Sequence, residues 1–232
     1  LAGVVTARPS PPRHASLGGL RAIGLVAAVT VSGGAAGALI ASGFRSVSGN
    51  RMAPWIIGRA AGITSYLLLV ALVLLGLVLS HPWRTRLTRP SPAARIQLHI
   101  ALTVFTLVFT ALHVVVLATD RFAGVGWWGA ALPMRASYRP VAVTLGVVGM
   151  WSGLLSGITA ALAGHLPGRV WWPIHKVAAV ALILVWLHGV LAGGDTNALR
   201  WLYLSTGLHV AAAAFSRYTA RTPADQLAEL RQ

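Results

Sequence analysis

What most constrains this chain is a series of six apolar stretches, at roughly residues 22–43, 54–80, 96–118, 140–163, 171–193 and 200–217. A helix of about 20 apolar residues is about 30 Å long, the thickness of a bilayer's hydrocarbon core. None of the six alternates with period two. A backbone crossing lipid must also satisfy its own hydrogen bonds, so all six are predicted to be helices. The connections, near 46–54, 81–92, 120–140, 164–168 and 193–197, carry Pro, Gly and polar residues and could not hold a second domain. The expected fold is all-α: a six-helix transmembrane bundle over residues 22–217, flanked by cytoplasmic tails at 1–21 and 218–232. The first stretch follows Arg8, Arg13 and Arg21 as a signal peptide would, but its length and the lack of a clear cleavage site favour a retained helix.

Composition agrees with a bilayer as solvent. Hydrophobic residues make up 56% of the chain and charged residues 10%, and the mean hydropathy is +0.72; a soluble domain carries about 25% charge. The 19 Lys and Arg against 4 acids give a formal charge of +15, which could suggest a nucleic-acid partner. Sorting the bases by side gives another reason. Arg8, Arg13, Arg21, Arg84, Arg86, Arg89, Arg95, Arg169, Lys176, Arg217, Arg221 and Arg231 share one side, twelve in all. The other side has Arg45, Arg51, Arg59, Arg121, Arg135, Arg139 and Arg200, seven in all. The excess of basic loops marks the cytoplasmic face, so both termini are expected there and no nucleic acid is needed. The Arg84, Arg86, Arg89 and Arg95 cluster serves orientation and anionic headgroups, or docks an acidic soluble donor. On the other side Phe122, Trp127, Trp128, Leu132, Pro133, Met134 and Tyr138 suit a loop lying among headgroups, which could also cap a site from outside.

There is no cysteine, so disulfides, Fe–S clusters, Cys-based zinc sites and thioether-linked haem are excluded. Eight histidines remain as metal ligands. On the third span His99 and His113 lie fourteen residues apart, an offset of about 320° and about 21 Å, so they share nearly one face at two depths. The fifth span repeats the arrangement with His175 and His188, thirteen residues apart. The two spans run in the same direction, which matches His99 with His175 near the cytoplasmic end and His113 with His188 toward the outside. Each pair offers one imidazole to either side of a plate-like cofactor, as six-coordinate haem iron requires. Thirteen residues turn a helix only about 220°, so the fifth span needs a change of winding or an oblique approach. A lone histidine in a span is often a hydrogen-bonding residue or part of a proton path. A proton relay would normally recruit acids, yet Asp120, Asp195, Asp225 and Glu229 all lie outside the spans. A zinc or copper transporter would gather its ligands at one depth.

With these histidines in place, the sequence resembles the ferric-reductase-like transmembrane domain family, shared by ferric reductases, NADPH oxidases and the haem subunit of bacterial methionine-sulfoxide-reductase systems. Gly58-Arg59-Ala60-Ala61-Gly62 at the start of the second span and Trp172-Pro173-Ile174-His175-Lys176 on the fifth are similar to the family's motifs, with Ile174 and Lys176 as substitutes. The resemblance covers roughly residues 54–200. It implies two non-covalent b haems between the third and fifth helices, with His99, His175, His113 and His188 as iron ligands at the family's spacings of fourteen and thirteen.

Arg59, just inside the outer end of the second span, has no acid within the spans to pair with. It either snorkels outward or meets a propionate of the outer haem. Arg95 and Lys176 could meet the inner haem's propionates or act as ordinary cytoplasmic-side bases. His209 in the sixth span reads as a structural hydrogen-bonding residue, and His14, His81 and His165 as solvated or interfacial. Gly146, Gly149, Gly153 and Gly157 allow close approach of a helix or a porphyrin.

No Gly-x-Gly-x-x-Gly turn follows a strand. The family's self-contained enzymes carry a flavin and nicotinamide domain after the sixth helix, and this sequence does not continue into one. The resemblance therefore implies the bacterial type: an oxidoreductase, or the electron-transfer subunit of one, that moves electrons from a cytoplasmic reduced flavin or flavoprotein to an acceptor outside. A ferric chelate and a partner oxidoreductase are the expected acceptors. The alternatives are a non-haem transporter using its intramembrane histidines, and a quinone-reactive cytochrome b anchor of a larger complex.

Overall fold

The computed structural model describes residues 52–221, and the first apolar stretch and both tails beyond these bounds lie outside it. Every regular element among the described residues is helical. In chain order they are α1 (Ala53–Ser80), a single 3₁₀ turn (Arg84–Arg86), α2 (Pro92–Thr119), α3 (Gly126–Ala131), α4 (Pro140–Ala161), α5 (Gly168–His175), α6 (Val177–Ala192) and α7 (Thr196–Thr219). Four helices are long and apolar enough to cross a membrane: α1, α2, α4 and the α5–α6 pair taken as one. The sixth expected span corresponds to α7, a 24-residue helix that falls outside this group. Ser205, Thr206, Gly207 and His209 dilute its apolar run.

Local chemistry sets the helix ends. The Ser91 hydroxyl accepts the Ala94 N–H at 3.2 Å, and Pro92, with no N–H to leave unpaired, opens α2. Pro140 does the same for α4. The connection between α1 and α2 is folded by Arg95, whose two terminal nitrogens donate to the carbonyls of Arg84 at 3.2 Å and Leu87 at 3.3 Å. This arginine is 5% exposed, so it spends its charge inside the loop. Arg84, Arg86 and Arg89 remain exposed around it.

Most side chains turned away from the bundle are large and apolar, as a lipid-facing surface requires. Polar contacts and small residues supply the interior. Tyr66, Val70, Leu182 and Tyr203 form a buried cluster joining α1, α6 and α7, with Tyr66 hydrogen-bonded to Thr206 and Trp186 Nε1 donating to the Tyr203 carbonyl at 3.0 Å. Close backbone packing runs along α4 and α6, whereas α2 and α6 are not closely packed against each other. The space between α2 and α6 is bridged by imidazoles.

Candidate functional site

The structure brings the four histidines together in the pairs expected from their depths. The ring centres of His99 and His175 are 6.2 Å apart, and those of His113 and His188 are also 6.2 Å apart. The ring planes cross at 67° and 78°, so neither pair is stacked. The distance is informative. With an imidazole–metal bond of about 2.0 Å and about 1.1 Å from nitrogen to ring centre, two rings on opposite sides of one metal have centres roughly 6.3 Å apart, and two tetrahedral ligands only about 5 Å. Both pairs match opposed ligands. Among the described residues no group of three or more His, Cys, Asp or Glu side chains is placed to hold a metal ion. Each pair by itself therefore offers two imidazoles.

The outer pair is held from behind on both sides. His113 Nδ1–H donates to the Gly58 carbonyl of α1 at 2.6 Å, and His188 Nδ1–H donates to the Ala142 carbonyl of α4 at 2.8 Å. A carbonyl can only accept, so Nδ1 carries the proton and the lone pair of each neutral ring is on Nε2, the tautomer of a metal ligand. One turn beyond each carbonyl stands a glycine that gives the ring room. A Cβ on Gly62 would lie 2.7 Å from the His113 ring, and one on Gly146 would lie 2.8 Å from the His188 ring. The same device, a carbonyl at one position and a glycine four residues on, thus occurs on α1 and α4. Of the glycine series on α4, Gly149 also packs closely against α6, while Gly157 faces open space.

The inner pair is supported differently. Ser156, only 2% exposed, donates its hydroxyl to the His175 carbonyl at 2.8 Å and lies 3.3 Å from His175 Nδ1. His99 Nδ1 is buried with no protein partner. The nearest glycine, Gly76, would place a Cβ 3.4 Å from the His99 ring, an ordinary contact.

Between the two histidines of the fifth span the helix is interrupted. The helix stops at His175 and restarts at Val177, with Lys176 in a turn between them. Ser156 takes up the His175 carbonyl at this break. Sequence reasoning missed Ser156, since a serine among glycines has no motif of its own. It also missed a hydroxyl face on α2. Thr103, Thr106 and Thr110 fall between His99 and His113 at spacings of four and three, and each donates to the carbonyl four residues back. Ser65 of α1 meets that face at Thr110, 2.6 Å between hydroxyl oxygens.

The charged candidates are placed as follows. Arg59 forms an ion pair with Asp195, at side-chain exposures of 21% and 57%, and stands 5.5 Å from the Trp55 ring. This corrects the expectation that Arg59 lacks a protein counter-ion. Asp195 is in the outer connection before α7, and the bundle carries that connection to the outer end of α1. Arg95 gives its terminal nitrogens to the α1–α2 connection, leaving a buried Nε without a protein partner. Lys176 lies 5.5 Å from the Trp172 ring. His209 donates from Nδ1 to its own helix at Ser205. His81 accepts the Trp83 N–H and faces the Ser216 hydroxyl at 3.3 Å. His165 is exposed, and His14 lies outside the described residues.

The aromatic loop between α2 and α4 closes the C-terminal end of α6. The Tyr138 hydroxyl donates to the Ala192 carbonyl at 2.8 Å and Arg139 to the Leu191 carbonyl at 2.6 Å, satisfying acceptors that a helix C-terminus leaves free. Trp55 of α1 packs edge-on against Phe122 and Tyr138. Trp127 and Trp128 point outward, Trp128 at 73% exposure, as rings in the headgroup region would.

Comparisons with protein-family models, with curated proteins and with solved structures find no match.

Proposed function

We propose that this chain is a transmembrane electron conduit. It would hold two b haems non-covalently, one between His99 and His175 and one between His113 and His188. Electrons would pass from a cytoplasmic reduced flavin or flavoprotein to a ferric chelate or partner oxidoreductase outside. The observation that carries this reading is the 6.2 Å ring separation repeated at two depths of one bundle. When bound, such haems would supply one-electron transfer, with His99, His175, His113 and His188 as the residues that hold them. The resemblance in the Gly58–Gly62 and Trp172–Lys176 segments supports the same assignment.

The chain's own residues provide position and environment. The Gly58 and Ala142 carbonyls fix the tautomer and orientation of the outer imidazoles, and raise the basicity of each ring through the hydrogen bond. Gly62 and Gly146 let those rings lie against α1 and α4. Ser156 holds His175 where the helix is broken. The outer loop covers the end of α6 beyond His188. Arg59 offers positive charge near the outer pair while remaining tied to Asp195, so any acidic group there would share it. The distribution of bases supports a multi-pass cell-membrane protein with both termini in the cytoplasm.

A transporter reading is disfavoured because each site has two opposed imidazoles and, among the described residues, no third ligand. The direct test is a reduced-minus-oxidised spectrum of the full chain purified after expression with ample haem, with pyridine haemochrome quantitation. Two b haems per chain are expected. Absence of haem from a folded protein would overturn the proposal.

A further inference from the structure

The two histidine pairs have the same ring separation but unequal support. His113 and His188 both donate from Nδ1 to a backbone carbonyl of a neighbouring helix at 2.6 and 2.8 Å, so neither ring can turn about its Cβ–Cγ bond without losing a buried hydrogen bond. A glycine one turn along lets each ring lie close against the neighbouring helix, where a Cβ would come within 2.7–2.8 Å of it. His175 has a longer contact, 3.3 Å to the Ser156 hydroxyl, whose stronger interaction is with the backbone carbonyl. His99 has no protein acceptor at all for its buried Nδ1. Arg95, one turn before it on α2, uses its terminal nitrogens to fold the cytoplasmic loop, and as a donor it could not serve His99 in any case.

From this asymmetry we propose that the two sites retain their cofactors unequally: the outer pair is a fixed, tight site, and the inner pair is an exchangeable one in which His99 is the ligand that releases. The inference rests on the reading of both pairs as haem ligands. Its physical basis is separate. A ligating imidazole oriented by a hydrogen bond enters the metal site pre-organised, and loss of that partner costs about 10- to 100-fold in affinity. The outer site has both partners in place and the inner site lacks one outright. Release through His99 would leave His175 anchored by Ser156, so the inner site can reload without refolding the helix break.

The experiment is haem transfer from the purified full chain in nanodiscs to excess apomyoglobin, followed by absorbance. Two phases of equal amplitude are expected, with the faster about 10- to 100-fold quicker. His113→Ala, which keeps only the inner pair, should show the fast phase alone, and His99→Ala the slow phase alone. The wild-type trace with either variant suffices for assignment. Gly76→Ser, which brings a hydroxyl beside the His99 ring, should slow the fast phase, whereas Gly76→Ala should not. A single common rate, or a fast phase assigned to the outer pair, would overturn the inequality while leaving the two-haem reading intact. Failure to bind haem at either site would instead overturn that reading, and this inference with it.

Discussion

An imidazole becomes a defined ligand only when something decides which nitrogen bears the proton. For His113 and His188 that decision is made by the Gly58 and Ala142 carbonyls, one turn from a glycine that admits the ring. Gly62→Ala and Gly146→Ala should each therefore disturb the outer pair alone. Each added methyl meets the ring at under 3 Å, and the expected result is about a 10- to 100-fold loss of outer-site affinity with the inner haem retained. Spectral counting of haem per chain checks this, and retention of both haems at wild-type affinity would contradict the role given to the glycines. Arg59 leads to a different expectation. Its pair with Asp195 is partly open to water, and exposed ion pairs contribute only about 0–1 kcal/mol. Asp195→Asn should lower the thermal midpoint slightly and leave haem content unchanged. The histidine positions were legible in the sequence because depth follows from residue count. Asp195 as Arg59's partner was not, since 136 residues separate them and only the fold makes them neighbours.

Among the elements, the α5–α6 break shows how a helix can be interrupted for the sake of a side chain. A regular helix through residues 175–188 would point its two histidines about 140° apart. The turn at Lys176 interrupts the regular helix between them. The sequence displayed the conflict and the proline, but left open whether winding or oblique approach resolved it. The missing part was Ser156, contributed by α4 from nineteen residues away. Ser156→Ala leaves the His175 carbonyl unpaired at a buried site and should destabilise the protein by about 1–3 kcal/mol. Ser156→Thr, which keeps the hydroxyl, should restore part of that loss. Denaturation in mild detergent measures the first effect. Inner-haem spectra should shift in Ser156→Ala while outer-haem spectra do not; equal shifts in both would argue against a local role for Ser156.

At the level of the whole molecule, orientation and assembly follow from different forces. On the proposed orientation, the twelve-to-seven division of bases assigns residues 81–92 to the cytoplasm and 120–140 to the outside. The absence of cysteine makes this straightforward to check. In inner-membrane vesicles and whole cells, Thr88→Cys should react with an impermeant maleimide only from the cytoplasmic side and Ser137→Cys only from outside. The reverse pattern would invert the proposed topology and with it the proposed direction of electron flow. α7 marks the limit of hydropathy as a guide. It is a full-length helix, yet its polar residues keep it out of the group of strongly apolar spans, and Tyr66, Thr206, Tyr203 and Trp186 bind it to α1 and α6 by hydrogen bonds and ring packing.

By itself, the sequence determined that the chain is helical, that it carries long apolar spans, and that two histidines recur at two depths on each of two parallel spans. Those properties depend on composition and on residue counts along an axis of known rise, which are local. The tertiary structure alone decided which imidazole is supported and which is left free, which acid meets Arg59, and how the break after His175 is stabilised. Each of these depends on a hydrogen bond or a van der Waals contact reaching only a few ångströms, made between residues that the chain separates by 19 to 136 positions.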